Sequence, residues 1–259
     1  MKFPKVILIS IDGMRPDGLL SCGNSYVETM FAEGECSTDV ATVFPSATLP
    51  CHMSMFHSVD PGRHGVTTNT YVPSVRPIEG LATRLKNAGK INAMFYGWEP
   101  LRDITRPGDL CISEFLDVDR TPACDRRLTD RALACIGEGI ADFVFLYLPF
   151  TDSIGHRNGW MSPEYLQTIS EAVDCVRRVR EACGENSSIL VTADHGGHDR
   201  IHGTDQPVDM TIPLLMFGKE FRPGTRFSGA SILDVAPTVA DLFGIAPAAD
   251  WEGRSLLTR

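Results

Sequence analysis

The sequence predicts a layered α/β fold built on a mostly parallel sheet. Two observations carry this: strand-like and helix-like segments alternate along the chain, and three short aliphatic runs each stop just before an acidic residue. The runs are Val6 to Ser10 before Asp12, Phe143 to Leu148 before Asp152, and Ile189 to Thr192 before Asp194. Continuous apolar runs of this length suit strands buried on both faces. Further strands are expected near Ala93 to Tyr96 and Ile212 to Phe217. One helix is expected from about Ser162 to Cys183, with Pro163 in its first turn, and another from about Leu233 to Leu242, stopped by Gly244. The stretches Tyr71 to Ile78 and Arg102 to Cys124, rich in Pro, Asp and Arg, read as loops. In open α/β sheets ligands bind beyond the carboxyl ends of the strands, so the three acids stand where such folds build their sites.

A chain of 259 residues, 43% of them hydrophobic, has material for one large core and is short for two, so a single domain over 1–259 is expected. A formal charge of -9 repels polyanions and argues against a nucleic-acid polymer as partner. A small anion is still compatible with that field where metal ions reverse the local sign. The apolar run Val6 to Ile11 is too short for a signal-peptide core with its cleavage site, or for a membrane span. No membrane partner and a cytoplasmic location are therefore expected. The eight cysteines, at 22, 36, 51, 111, 124, 135, 175 and 183, lack the tight spacings of a disulfide scaffold or zinc knuckle and read as reduced structural thiols.

Histidines accompany the strand-end acids. Asp152 and His156 are four apart, which places them on one side of a helical turn; Asp194 and His195 are adjacent; and His202 follows seven residues later. With Asp12 this makes three Asp and three His, a donor set suited to divalent zinc, with manganese or iron as alternatives, and large enough for two ions. Singly, each signal also fits a surface pair, a helix cap or a loop histidine. The segment Phe44 to His52 supplies a nucleophile candidate. Pro50 suits a first helical turn, which sets Thr48 near a helix amino end, where free N–H groups favour an anion. A threonine hydroxyl needs activation, and metal coordination provides it. The local sequence alone favours Thr48 as a helix cap and Asn69, in Thr67-Thr68-Asn69-Thr70, as a turn residue.

These residues together resemble the alkaline phosphatase superfamily, in its type I phosphodiesterase/nucleotide pyrophosphatase branch. The resemblance runs from Ile9 to Asp17 through Phe44 to His52, Asp60 to Gly65, Asp152 to His156, Asp194 to Gly197 and His202-Gly203, and ends at Leu233 to Thr238 and Glu252 to Leu256. It covers essentially the whole chain. It implies a three-layer α/β/α sandwich and a phosphoric ester hydrolase with two divalent ions. Asp152, His156 and His202 would bind one ion. Asp12, Asp194 and His195 would bind the other, together with Thr48. The resemblance further implies a phospho-threonine intermediate, with the Asn69 amide donating to a phosphate oxygen.

The chain also departs from the pattern. Only six residues separate His195 from His202, where larger members carry a long insertion, and Cys51 replaces the usual asparagine before His52. Cys51 reads as a packed helix residue. No Cys or Ser followed by x-Pro-x-Arg begins at Thr48, which disfavours sulfate esters. His198 reads either as a loop residue or as a donor to substrate or to a ligand carboxylate. Phe44, Tyr71, Trp98, Phe150 and Trp160 lie near site segments, and packing is favoured over base stacking for each; His52, His57 and His64 read as structural. A small phosphodiester or nucleotide-type pyrophosphate is the expected substrate, with a monoester as the alternative. A phosphomutase would need an inserted domain for which this length leaves little room. A non-catalytic binding protein is disfavoured by the complete donor set.

Overall fold

The computed structural model describes residues 4–106, 108–117 and 123–257. Its sheet has seven strands: β1 (Val6–Ile11), β2 (Glu35–Ala41), β3 (Asn92–Tyr96), β4 (Ile112–Phe115), β5 (Phe143–Leu148), β6 (Ser188–Thr192) and β7 (Thr211–Phe217). They lie in the order β2-β7-β6-β1-β5-β3-β4. β6, β1, β5, β3 and β4 pair in parallel, while β7 runs antiparallel to both its neighbours. The expected mostly parallel sheet is present. Every residue of β1, β3, β5 and β6 is buried, which requires cover on both faces.

The helices are α1 (Pro16–Ser21), α2 (Tyr26–Glu33), α3 (Thr48–His57), α4 (Pro61–His64), α5 (Leu81–Asn87), α6 (Cys124–Glu138), α7 (Phe150–Asn158), α8 (Pro163–Cys183), α9 (Pro207–Met210) and α10 (Val235–Leu242). One helical layer gathers α1, α2, α6 and α7 around α8; the other joins α3 to α4, α5 and α10. The expected helix at Ser162 to Cys183 is α8, whose Ser162 side chain caps it by accepting the Tyr165 N–H. The expected one at Leu233 to Leu242 begins as a single 3-10 turn, Ile232–Asp234, and continues as α10. No helix among the described residues is long and apolar enough to cross a membrane.

Two strands escaped the sequence reading. β2 was not anticipated, and β4 lies inside the expected loop Arg102 to Cys124, of which residues 107 and 118–122 are outside the described residues. Both are sheet-edge strands, and their partly exposed, polar-rich sequences lack the apolar run that marks a central strand. The same stretch ends at α6, whose Asp125 is buried and accepts the Phe150 N–H at the start of α7 (3.3 Å). Burial pushes the Asp125 carboxyl up to about 6. Between the ordinary value of 3.8 and about 6 the folded chain keeps a proton that the unfolded chain releases, so this group's contribution to stability falls as pH rises through that window. Metal-free Asp125→Asn should therefore gain thermal stability over wild type as pH rises from 4 to 6, with a constant margin above. A margin that does not change with pH would refute this.

Candidate metal centre

The sheet order explains why three acids distant in sequence converge. β6, β1 and β5 are adjacent and in register, with Ser10 beside both Thr192 and Tyr147, so the residues beyond their carboxyl ends meet. Asp12 follows β1 and Asp194 follows β6, while Asp152 sits in the first turn of α7 after β5. Gly13 turns the chain with φ of 67°, and a Cβ there would lie 3.3 Å from the Asp152 backbone, so glycine permits the close approach.

All seven residues expected to bind metal come together. Asp152, His156 and His202 form one donor group, and Asp12, Asp152 and His195 a second, the donor atoms of each lying within 4.8 Å of one another. Asp194, expected in the second group, is outside that triple, yet its Oδ2 lies 3.4 Å from His195 Nε2. Asp152 instead reaches both groups. The Thr48 hydroxyl lies 3.3 Å from His195 Nε2. It does not cap its helix: Thr48 is the first residue of α3, and the N-cap is Ala47 with no side-chain bond.

The three histidines are held alike. In each, Nδ1–H donates to a backbone carbonyl: His195 to Gly196 (2.7 Å), His156 to Arg200 (2.9 Å) and His202 to Ser46 (2.8 Å). A carbonyl only accepts, so Nδ1 carries a proton and Nε2 is the ring atom that each histidine turns toward the site. His195 Nε2 lies 3.3 Å from Asp12 Oδ1, His156 Nε2 lies 3.5 Å from Asp152 Oδ1, and His202 Nε2 lies 3.6 Å from that same oxygen. Two donors each ~2.0–2.1 Å from a shared tetrahedral ion stand ~3.3 Å apart, so these separations match a common cation.

The oxygens agree. Asp12 Oδ1, Asp152 Oδ1 and Asp194 Oδ2 are buried without a hydrogen-bond partner. In Asp12 and Asp194 the other oxygen is organised: Tyr147 donates its hydroxyl to Asp12 Oδ2, and the N–H groups of Gly13 (3.1 Å) and His195 (3.0 Å) donate to Asp194 Oδ1. Burial, reinforced by the charge on Asp12, pushes the Asp152 and Asp194 carboxyls well above the ordinary range. Burial acts on Asp12 in the same sense but is outweighed by the hydrogen bond and charge of His195, which bring it down to about 2. In a site without metal, protons would have to supply the positive charge that this arrangement lacks. Divalent ions would supply it instead, and the residues fit them.

Asn69 lines the same cavity, about 210 Å³, with Thr48, Asp12, Asp152, His156 and His202. Its Oδ1 accepts the Leu49 N–H (3.0 Å), leaving the amide NH2 as a donor. That one N–H of α3 is thus not free for an anion. Cys51 is fully buried among Thr42, Val43 and Pro45, and burial drives its thiol far up, which fits its packed role. His52 is structural: its Nδ1–H donates to the Thr48 carbonyl (2.8 Å) and the Ser10 hydroxyl to its Nε2 (3.0 Å), tying α3 to β1. His198 bonds neither substrate-facing groups nor a ligand carboxylate but Asp209 (2.7 Å), which also accepts from Thr204. Of the five aromatics, Phe150 and Trp160 are packed, Trp98 lines the cavity half-buried, and Phe44 and Tyr71 are exposed. Sequence reasoning missed Tyr147; its signal was a hydroxyl at the polar end of an otherwise apolar strand.

Residues 6–101 match the sequence family described as type I phosphodiesterase/nucleotide pyrophosphatase, and residues 115–247, just over half of the chain, match the metalloenzyme superfamily. The chain is 29% identical over 140 residues to the 2,3-bisphosphoglycerate-independent phosphoglycerate mutase of Clostridioides difficile (strain 630), covering 51% of this chain and 27% of the mutase. It is 23% identical over 244 residues to the human bis(5'-adenosyl)-triphosphatase, covering 82% of this chain and 52% of that enzyme. The chain thus spans about a quarter to a half of the length of these relatives. Among solved structures, an inactive threonine-to-alanine variant of murine ectonucleotide pyrophosphatase/phosphodiesterase 5 in complex with AMP superposes with a TM-score of 0.80 at 14% identity, covering 95% of this chain and 96% of that one. The chain belongs to the alkaline phosphatase superfamily of metalloenzymes, in the branch that resembles type I phosphodiesterases and nucleotide pyrophosphatases.

Proposed function

We propose that this protein hydrolyses a small phosphodiester or nucleotide-type pyrophosphate, with Thr48 as nucleophile and two divalent ions, zinc by donor chemistry, as cofactors. The observation that carries the reading is the placement of the Thr48 hydroxyl, 3.3 Å from His195 Nε2 in a cavity lined also by Asp12, Asp152, His156 and His202. Asp152, His156 and His202 would hold one ion, and Asp12, Asp194 and His195 the other, with Thr48 as a further ligand. Bound there, the ions would lower the pKa of the threonine hydroxyl and offset the charge that develops on the phosphate and leaving-group oxygens.

The residues do the rest. Thr48 Oγ1 attacks phosphorus in line, the bond to the leaving oxygen breaks, and the phosphoryl group passes to threonine. Asn69 donates its amide N–H to an equatorial oxygen. Water then attacks the phospho-threonine and restores the hydroxyl. His52 fixes the Thr48 carbonyl from behind, which keeps the nucleophile in place. That a threonine-to-alanine variant of the murine relative is inactive supports a threonine nucleophile on this fold.

The cavity lining favours a diester over a monoester. Among the described residues it contains no Arg or Lys to pair with a dianion; its polar side chains are Thr48, Asn69, Trp98, Tyr147, Ser153, the acids and the histidines. With zinc added, bis(nitrophenyl) phosphate should be cleaved with a higher kcat/KM than nitrophenyl phosphate. A strong monoester preference would overturn the substrate class. Transfer of phosphoryl to an added alcohol with no release to water would favour the mutase-like alternative.

A further inference from the structure

Trp160 touches the chain segments that carry Asp12, His156, His195 and His202. Its indole N–H donates to the Gly13 carbonyl (2.9 Å), next to Asp12. The ring meets His156 edge-on, at 5.1 Å and 87° between planes, and His202 at 5.9 Å and 62°. Its faces are closed by glycines: a Cβ at Gly155, beside His156, would lie 2.7 Å from the indole, and one at Gly197, two residues past His195, would lie 2.2 Å away. The side chain is only 7% exposed. The backbone N–H donates to Asp199 (2.8 Å), at the start of the turn that leads to His202.

These contacts are not equally replaceable. The Gly13 carbonyl also accepts the Tyr165 hydroxyl (2.8 Å), so the Asp12 turn keeps a donor if the indole is lost. His156 has less support. Its side chain is 45% exposed, and besides the Nδ1 bond to Arg200 it is flanked by the Trp160 edge and, at 4.9 Å, the His202 ring. His202 is better secured, because its ring stacks on His195 at 3.9 Å.

We propose that Trp160 is a positioning residue that sets the affinity of the outer donor group, Asp152, His156 and His202, while leaving the Asp12, Asp194 and His195 group nearly untouched. This rests on the two-ion reading above. Fixing the orientation of a ligand histidine raises affinity by restricting the rotation that binding must otherwise freeze, and supporting residues around metal ligands are worth ~10–100-fold in affinity.

Zinc titration of the metal-free chain against a chromophoric chelator, repeated with cobalt for its visible spectrum, tests this. Wild type should bind two ions. Trp160→Leu should weaken one of them ~10–100-fold and leave the other within a factor of about two. Trp160→Phe, which keeps an aromatic edge, should lose less at the same group, with its metal-free unfolding temperature close to wild type. Gly197→Ala, which forces the indole aside, should give the same selective loss and add nothing to Trp160→Leu. Equal weakening of both ions, or no change in either variant at Trp160, overturns the assignment with the two-ion reading intact. A wild-type chain that binds fewer than two ions defeats that reading, and the assignment with it.

Discussion

Thr48→Ala should lower kcat by at least ~10³-fold while both donor groups still bind zinc. The size of the loss follows from what the hydroxyl is placed to do. Its position at the start of α3 is neutral for the helix, because no side-chain cap is lost and alanine is the best helix former. Its Oγ1 contact is with His195, in the centre of the donor array. Removing the hydroxyl, with the methyl beside it, therefore deletes the attacking atom without disturbing the backbone that His52 and Asn69 hold. Thr48→Ser keeps the atom and should retain a measurable fraction of the rate. Initial rates on a nitrophenyl diester, beside zinc titration of each variant, separate the outcomes. Full activity in Thr48→Ala would remove the nucleophile from the scheme; loss of zinc along with activity would instead make Thr48 a ligand first.

How the centre could be read from sequence, and where that reading stopped, follows from which forces act locally. The apolar runs before Asp12, Asp152 and Asp194 are local signals of buried strands, and the three acids were found for that reason. That they meet depends on the adjacency of β6, β1 and β5, which chain order does not reveal. The sequence also favoured a cap for Thr48, since capping depends only on neighbours, whereas its contact with His195 spans 147 residues. Tyr147 went unnoticed because in sequence it is one more aromatic in a core strand; only the fold turns its hydroxyl onto Asp12. His198 is ambiguous in sequence because its partner Asp209, which accepts its Nδ1–H, lies eleven residues on. The edge strands β2 and β4 were missed for a different reason: with one neighbour each and partly exposed side chains, they need no apolar run.

Asp152→Asn should change activity and metal-free stability in opposite directions. Asp152 has an oxygen within reach of both donor groups, so under the two-ion proposal the loss of its charge would weaken the attraction for the ion it holds and for the neighbouring one. Because a supporting residue alone can be worth ~10–100-fold, a ligand common to both groups should cost at least ~10²-fold in activity. In the metal-free chain the sign reverses. Burial, with the charge of Asp12 behind it, holds the Asp152 carboxyl well above its ordinary 3.8, so the folded state retains a proton that the unfolded chain gives up. That acid's contribution to stability therefore falls as pH rises above about 3.8, and asparagine, which never ionises, avoids the fall. Metal-free Asp152→Asn should unfold at a higher temperature than metal-free wild type at pH 7, with the gap closing as pH approaches 4. Adding zinc should restore the wild-type lead, because stabilisation by a ligand grows with its affinity for the folded state. Thermal unfolding of both proteins with and without zinc decides it. A variant less stable than wild type under both conditions would mean that Asp152 serves the fold through contacts other than its charge, and the completion of this centre by cations would lose its main support.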